Sequence, residues 1–293
     1  MTPPHFKDIA WNGIQFSYPE RWQIAAIGDS HLVLEGSRGP MMEVVWSRIR
    51  GHFSHRTHFR KLASHFPKKM SASISHWELP PDWLQAVSRF EASGFKWRAA
   101  EEGGKGVLLY CRACRRASLV HFFGQQPDGS DPVALETLKR FKDHYPEGGQ
   151  VFSLFDMRAT LPVPFELDRH RLDAGGFELV FVHRNNRLSL YRWALAAIVL
   201  QDSGLDEFGR QMKLIDPHAA QPVVVNGFDG IEERRDATGV DGWMRWMTSR
   251  PCHYWCRLWH VEACNRILGA VAETRRPMDE GLFERICEHY ETF

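Results

Sequence analysis

Apolar and polar residues alternate with period two over much of this chain, and the alternation gives way to helical spacing in a few short stretches. Residues 13–50 read as a strand meander. Gly13-Ile-Gln-Phe-Ser-Tyr alternates until Pro19, and Trp22-Gln-Ile-Ala-Ala-Ile resumes after the turn. Gly28-Asp-Ser and Gly36-Ser-Arg-Gly-Pro40 punctuate the rest. Strands this close in sequence pair antiparallel, because a parallel partner needs a long crossover. Over 53–66 the period changes: Phe53, Phe59, Leu62, Ala63 and Phe66 share a helical face that Pro67 ends. Strands return at Phe95–Ala99 and at Gly106–Tyr110, and a tight turn leads from the latter into Ala117–Phe123. Asp131-Pro132 then opens a helix with an acidic cap and a proline in its first turn.

The second half repeats this order at an offset near 145 residues. Phe16-Ser-Tyr-Pro-Glu-Arg-Trp22, Leu32-Val-Leu34 and Met41–Trp46 answer to Ala159–Phe165, Leu179-Val-Phe181 and Leu188–Trp193. Leu138–Tyr145 answers to Phe283–Tyr290. A repeat this long predicts a domain duplication rather than a solenoid, with repeats over 1–148 and 149–293 and a linker at Pro146–Gln150. Strands are also predicted near Val223–Val225, Gly242–Met247, Cys252–His260 and Arg266–Ala272, with helices near Leu205–Met212 and Asp279–Tyr290. The predicted class is α+β: two similar domains, each an antiparallel sheet covered by helices.

This order, together with the opening turn Tyr18-Pro19-Glu20-Arg21-Trp22, resembles the Mog1/PsbP-like superfamily. The resemblance implies a strand, proline turn and tryptophan at the start of each domain and a closing helix packed on an antiparallel sheet. It also implies a binding or chaperone-like accessory role. It carries over no catalytic residue.

Composition narrows the function. The 293 residues suit two domains, and 37 Lys+Arg against 36 Asp+Glu leave a net charge of +1, so no global field points to nucleic acid. The N-terminus lacks a signal-peptide pattern and no apolar run reaches membrane-spanning length, so a cytoplasmic protein is expected. Six cysteines in such a chain suggest thiols or metal ligands rather than a disulfide framework.

The sharpest chemical signal is Cys111-Arg-Ala-Cys114 between two strands, a turn that brings two thiolates to one side as in a zinc knuckle. His260 and Cys264 stand at the corresponding place in the second half. If the two hairpin tips meet, Cys111, Cys114, His260 and Cys264 form a structural zinc site between repeats. Ordinary core thiols and a redox pair are the competing readings. His55 and His58 share a predicted helix face, best read as solvated. Asp168, Asp173, Glu232, Glu233 and Asp236 read as scattered loop acids, and Glu101-Glu-Gly-Gly-Lys105-Gly as a hairpin loop. Trp77 and Trp83, flanking Pro80-Pro81, are the candidate partner-binding aromatics. No nucleophile or phosphate-binding motif appears. The expected function is a non-enzymatic binding or adaptor protein with another protein as partner. The alternative is a metal-dependent enzyme using a Cys/His site.

Overall fold

In a computed structural model of the chain, the residues described are 5–64, 74–99, 102–124, 131–144, 149–162, 164–201, 203–237, 239, 244–245, 247–248 and 250–293. Tyr145 lies outside them. The chain divides into two compact units, Met1–Pro146 and Glu147–Phe293.

The first unit contains β1 (Phe6–Trp11), β2 (Ile14–Pro19), β3 (Gln23–Gly28), β4 (His31–Gly36) and β5 (Gly39–Arg48), then α1 (His55–Ala63), β6 (Ser75–Trp77) and α2 (Pro81–Ala86). β7 (Glu91–Ala99), β8 (Glu102–Cys111), β9 (Arg116–Phe123) and α3 (Pro132–Arg140) complete it. Its seven-stranded sheet is antiparallel in the order β3-β4-β5-β9-β8-β7-β6, so β5 and β9, distant in sequence, are paired from Met42↔Phe122 to Arg48↔Arg116. β1 and β2 form a separate hairpin at Asn12-Gly13, where both residues take the positive φ that a type I′ turn demands.

The second unit contains β10 (Gly149–Leu154), β11 (Met157–Pro162), β12 (Glu166–Asp173), β13 (Gly176–His183) and β14 (Asn186–Ala194). There follow α4 (Ala196–Val199), α5 (Leu205–Gln211), β15 (Gln221–Val225), β16 (Phe228–Asp236), β17 (His253–Val261), β18 (Arg266–Thr274), α6 (Glu280–Glu288) and β19 (Tyr290–Thr292). Its seven-stranded sheet runs β12-β13-β14-β18-β17-β16-β15. Beside it, β10 pairs with β11 and β11 with β19.

The expected helix-covered α+β arrangement is corrected: the protein is rich in antiparallel sheet and its helices are few and short. The reason is dimensional. A nine-residue helix such as α1 is about 13.5 Å long, whereas seven strands span about 29 Å. In the second unit a small ladder therefore shares the covering: Phe152 of β10 packs edge-on against Phe181 of β13, with ring centroids 4.8 Å apart. α6 and β19 cover the same face through Phe283 on Trp255 and Tyr290 on Trp259. In the first unit one face of the sheet gathers Val45, Phe95, Leu108 and Leu119 beneath Phe53 and Phe59. Strands follow because both faces are apolar: Val44, Val107, Val120 and Phe122 point the other way and are equally buried.

Three local expectations also change. Gly149 and Gln150, expected in a linker, begin β10. Met244, Arg245 and Met247, expected in a strand, are helical; Trp243 and Trp246 lie outside the described residues. The glycine-rich segment after Glu101 is part of β8 rather than a loop, because a Cβ at Gly106 would come within 2.3 Å of the Val120 carbonyl oxygen.

Candidate functional site

Cys111 is the last residue of β8 and Cys114 lies in the turn before β9, closed by Arg115 at a φ of 55°. The segment after α3 comes back to this turn. Lys142 exchanges two backbone hydrogen bonds with Gln15, each 2.7 Å, and this places Asp143 and His144 against the two cysteines. The Cys114 thiol lies 3.0 Å from Oδ2 of Asp143, Cys111 Sγ lies 3.6 Å from Nδ1 of His144, and that Nδ1 lies 2.8 Å from Asp143 Oδ1. One donor atom from each of Cys111, Cys114, Asp143 and His144 falls within 4.8 Å of the other three. Cys111 and Asp143 are buried, Cys114 is half-buried and His144 reaches solvent. The backbone is fixed from behind: Arg116 donates to the carbonyl oxygens of Asp143 and Gly13. Burial, followed by the hydrogen bond to the Asp143 carboxylate, pushes the Cys114 thiol up from its ordinary pKa.

The other two residues of the expected zinc set belong to the second unit. His260 is on β17, and Cys264 closes a 3-10 turn, its Sγ 3.7 Å from the carbonyl oxygen of Thr292. Within the first unit, the partners that the C-x2-C turn meets are Asp143 and His144. Sequence reasoning did not single these two out, although His144 stood in the repeated segment that closes each half.

Trp83 is 1% exposed and has no surface to offer a partner, which corrects its expected role; Trp77 is half-buried. The two rings meet edge to face at 4.9 Å. They enclose Lys105, whose Nζ lies 5.7 Å from the Trp77 ring and 5.4 Å from the Trp83 ring, a cation–π cage for a side chain itself 1% exposed. The prolines between them start α2 rather than extending the chain across the surface.

The acids expected in loops are on strands, Asp168 and Asp173 on β12 and the other three on β16. Glu232 accepts from Trp255 Nε1 at 3.1 Å and Arg257 Nε at 2.8 Å, and Glu233, 1% exposed, is ion-paired with Arg235 Nε at 2.6 Å and accepts from the Asp216 amide at 2.7 Å. These are structural ion pairs. Asp236 orients His253 at 2.7 Å on an open cleft of about 420 Å³ that Lys213, Arg235 and Arg245 also line.

One end of the second unit exposes large apolar side chains. Phe155, in the β10–β11 turn, is 50% exposed at a φ of 55°, and Leu195, after β14, is 53% exposed at a φ of 59°. Ile198 and Val199 of α4 are exposed beside Leu195. Asn265 and Arg266 tie the two places together. Asn265 accepts from the Ala196 and Ala197 amides at 3.3 and 2.7 Å, while Arg266 donates to Asp156 at 2.9 Å.

No family model matches the chain, and no curated protein matches it in sequence. Among solved structures, the chain is similar to the apo immunity protein TplEi of T6SS from Pseudomonas aeruginosa, at 10% identity and a TM-score of 0.33 over 98% of this chain and 97% of that one. It is similar to the Tle4–Tli4 complex at 9% identity and a TM-score of 0.31, again over 98% and 97%. A third structure, from Bacteroides thetaiotaomicron, is matched at 12% identity and a TM-score of 0.31 over 50% of this chain; the chain spans 52% of that one's length. At these scores and identities the likenesses decide nothing about fold or partner. Among the described residues no helix is long and apolar enough to cross a membrane.

Proposed function

We propose that the chain is a non-catalytic binding module built from two copies of one sheet-rich unit, and that its partner is another protein. The two seven-stranded sheets share one order of neighbours, β3 to β9 answering to β12 to β18, which supports the duplication. The accessory role implied by the Mog1/PsbP-like resemblance belongs to the same reading. A cytoplasmic location goes with it, since a reducing compartment keeps the cysteines free.

The observation that carries the binding role is Leu195. A left-handed backbone is unfavourable for leucine by about 1–2 kcal/mol, and exposing its side chain gains nothing within the fold. Yet Asn265 holds the following turn in place, and Phe155 is presented in the same strained way at the same end. Strain held beside an exposed apolar group is characteristic of contact sites.

The test is site-specific photocrosslinking in the source cell. A photoreactive residue at Ile198 should give a covalent adduct of one defined mass, and the same residue at exposed Asp206 should not. Adding Leu195→Asp should abolish the Ile198 adduct. Equal labelling from both positions, or none from Ile198, refutes the reading.

A further inference from the structure

We propose that Cys111, Cys114, Asp143 and His144 bind one divalent metal ion of the zinc type, wholly within the first unit. Two sulfurs, one imidazole nitrogen and one carboxylate oxygen are donors that zinc accepts in tetrahedral sites. Zinc arms of 2.0–2.3 Å make a tetrahedron with edges of about 3.3–3.8 Å. The observed separation of 3.6 Å falls in that range, those of 2.8 and 3.0 Å fall a few tenths of an ångström short of it, and every pair lies within 4.8 Å. Small side-chain rotations suffice to close it.

The surroundings favour an ion over a simple hydrogen-bonded cluster. Asp143 is 3% exposed and its carboxylate lies directly against the Cys114 thiol, an oxygen and a sulfur donor held side by side. Metal binding would release the protons of both thiols. The outer contacts needed to aim the ligands already exist. Arg116 holds the Asp143 carbonyl, and Arg89 donates to the carbonyl oxygens of Lys139 and Phe141 at the end of α3. His144, with its side chain 46% exposed, leaves a path for entry. With four protein ligands there is no open position, so the ion is a structural clamp between the β8–β9 turn and the segment after α3.

The experiment adds cobalt(II), then zinc, to the reduced and metal-stripped full chain. One cobalt per chain should bind, giving tetrahedral d–d bands and thiolate charge-transfer absorption that zinc abolishes. About two protons should appear in weak buffer for each ion bound. Cys114→Ser should remove much of the charge-transfer band. Asp143→Asn and His144→Ala should each weaken binding by more than the about 10–100-fold typical of losing an outer-shell partner. Cys252→Ser should change nothing. His144 is exposed, so its variant tests the site without a folding defect. Zinc protection of Cys111 and Cys114 from alkylation, mapped by mass, gives a second readout on the unaltered chain. The proposal is overturned by absence of a cobalt spectrum in the folded, reduced protein. Binding that survives loss of Asp143 and His144 but not of Cys264 also overturns it. So does a Cys111–Cys114 disulfide as isolated, with no metal uptake after reduction.

Discussion

Trp97 donates its indole N–H to Nε2 of His121 across 2.5 Å, although the two stand on strands separated by a third. The strand between is β8, and the residue beneath the contact is Gly104. A Cβ there would lie 2.7 Å from each of those two ring nitrogens and 2.5 Å from the Phe122 carbonyl oxygen. Gly104→Ala should therefore overpack the core and break the contact, destabilising the protein by at least about 2 kcal/mol. A denaturant midpoint within error of the wild type would show that the rings do not meet over this glycine.

The same hydrogen bond makes Nε2 of His121 an acceptor, which leaves its Nδ1 proton facing the Glu43 carboxylate at 4.0 Å. Burial lowers the His121 pKa, and Glu43 only partly offsets this. The unfolded chain thus takes up a proton below the ordinary histidine value of about 6.5 while the folded chain does not. Burial alone would raise the Glu43 carboxyl, but the adjacent His121 imidazole and the hydrogen bond with His31 at 2.8 Å outweigh it and hold the carboxyl low. Its contribution is present above the ordinary carboxylate value and is lost as pH falls through the lowered one. Both groups make the unfolded state the better proton acceptor, so stability should fall as pH drops below about 6.5, by up to about 1.4 kcal/mol per pH unit for each proton. Urea melts at pH 7.5 and 5.5 measure this, and His121→Gln should flatten the first part of the slope.

In the second unit Asp156 accepts from Arg192 and Arg266, and Arg192 is only 5% exposed. Asp156→Ala leaves that guanidinium buried without its carboxylate, an expected loss of about 3–5 kcal/mol. Asp156→Asn should lose less, since an amide oxygen still accepts. If the alanine variant melts like the wild type, the pair is not closed in solution.

Leu195→Gly should separate stability from binding. Glycine enters a left-handed backbone without penalty, so the fold should gain up to about 1 kcal/mol. Crosslinking from Ile198 should nevertheless weaken, because an apolar anchor is gone. Loss of stability in this variant would mean that Leu195 packs rather than displays.

Much of the strand pattern was legible because alternation and turn residues are local signals. Asp131-Pro132 announced α3, and Asp131 Oδ1 indeed accepts from the Val133 and Ala134 amides. What escaped depends on partners distant in sequence. Gly103 to Gly106 read as a loop because nothing in the sequence says that Phe122 and Val120 of β9 lie against them. Glu232 and Glu233 read as loop acids because their arginines come from neighbouring strand and in-strand positions that only the register reveals. For the candidate site, the C-x2-C turn was visible. Asp143 and His144 were not, since a strap that follows a helix carries no spacing signature relative to a turn some thirty residues earlier.

The pairing of β5 with β9 also sets a timetable. At about 5–20 residues per second, Arg116 leaves the ribosome roughly 3–14 s after its partner Arg48. Through that interval β5 has no companion for one of its edges, and Val44 and Val45 await the strand that will cover them. β14 waits as long for β18. Each nascent unit thus passes through a stage in which its central strand is an open template, where a chaperone, or a second nascent chain, can compete with the strand still being made.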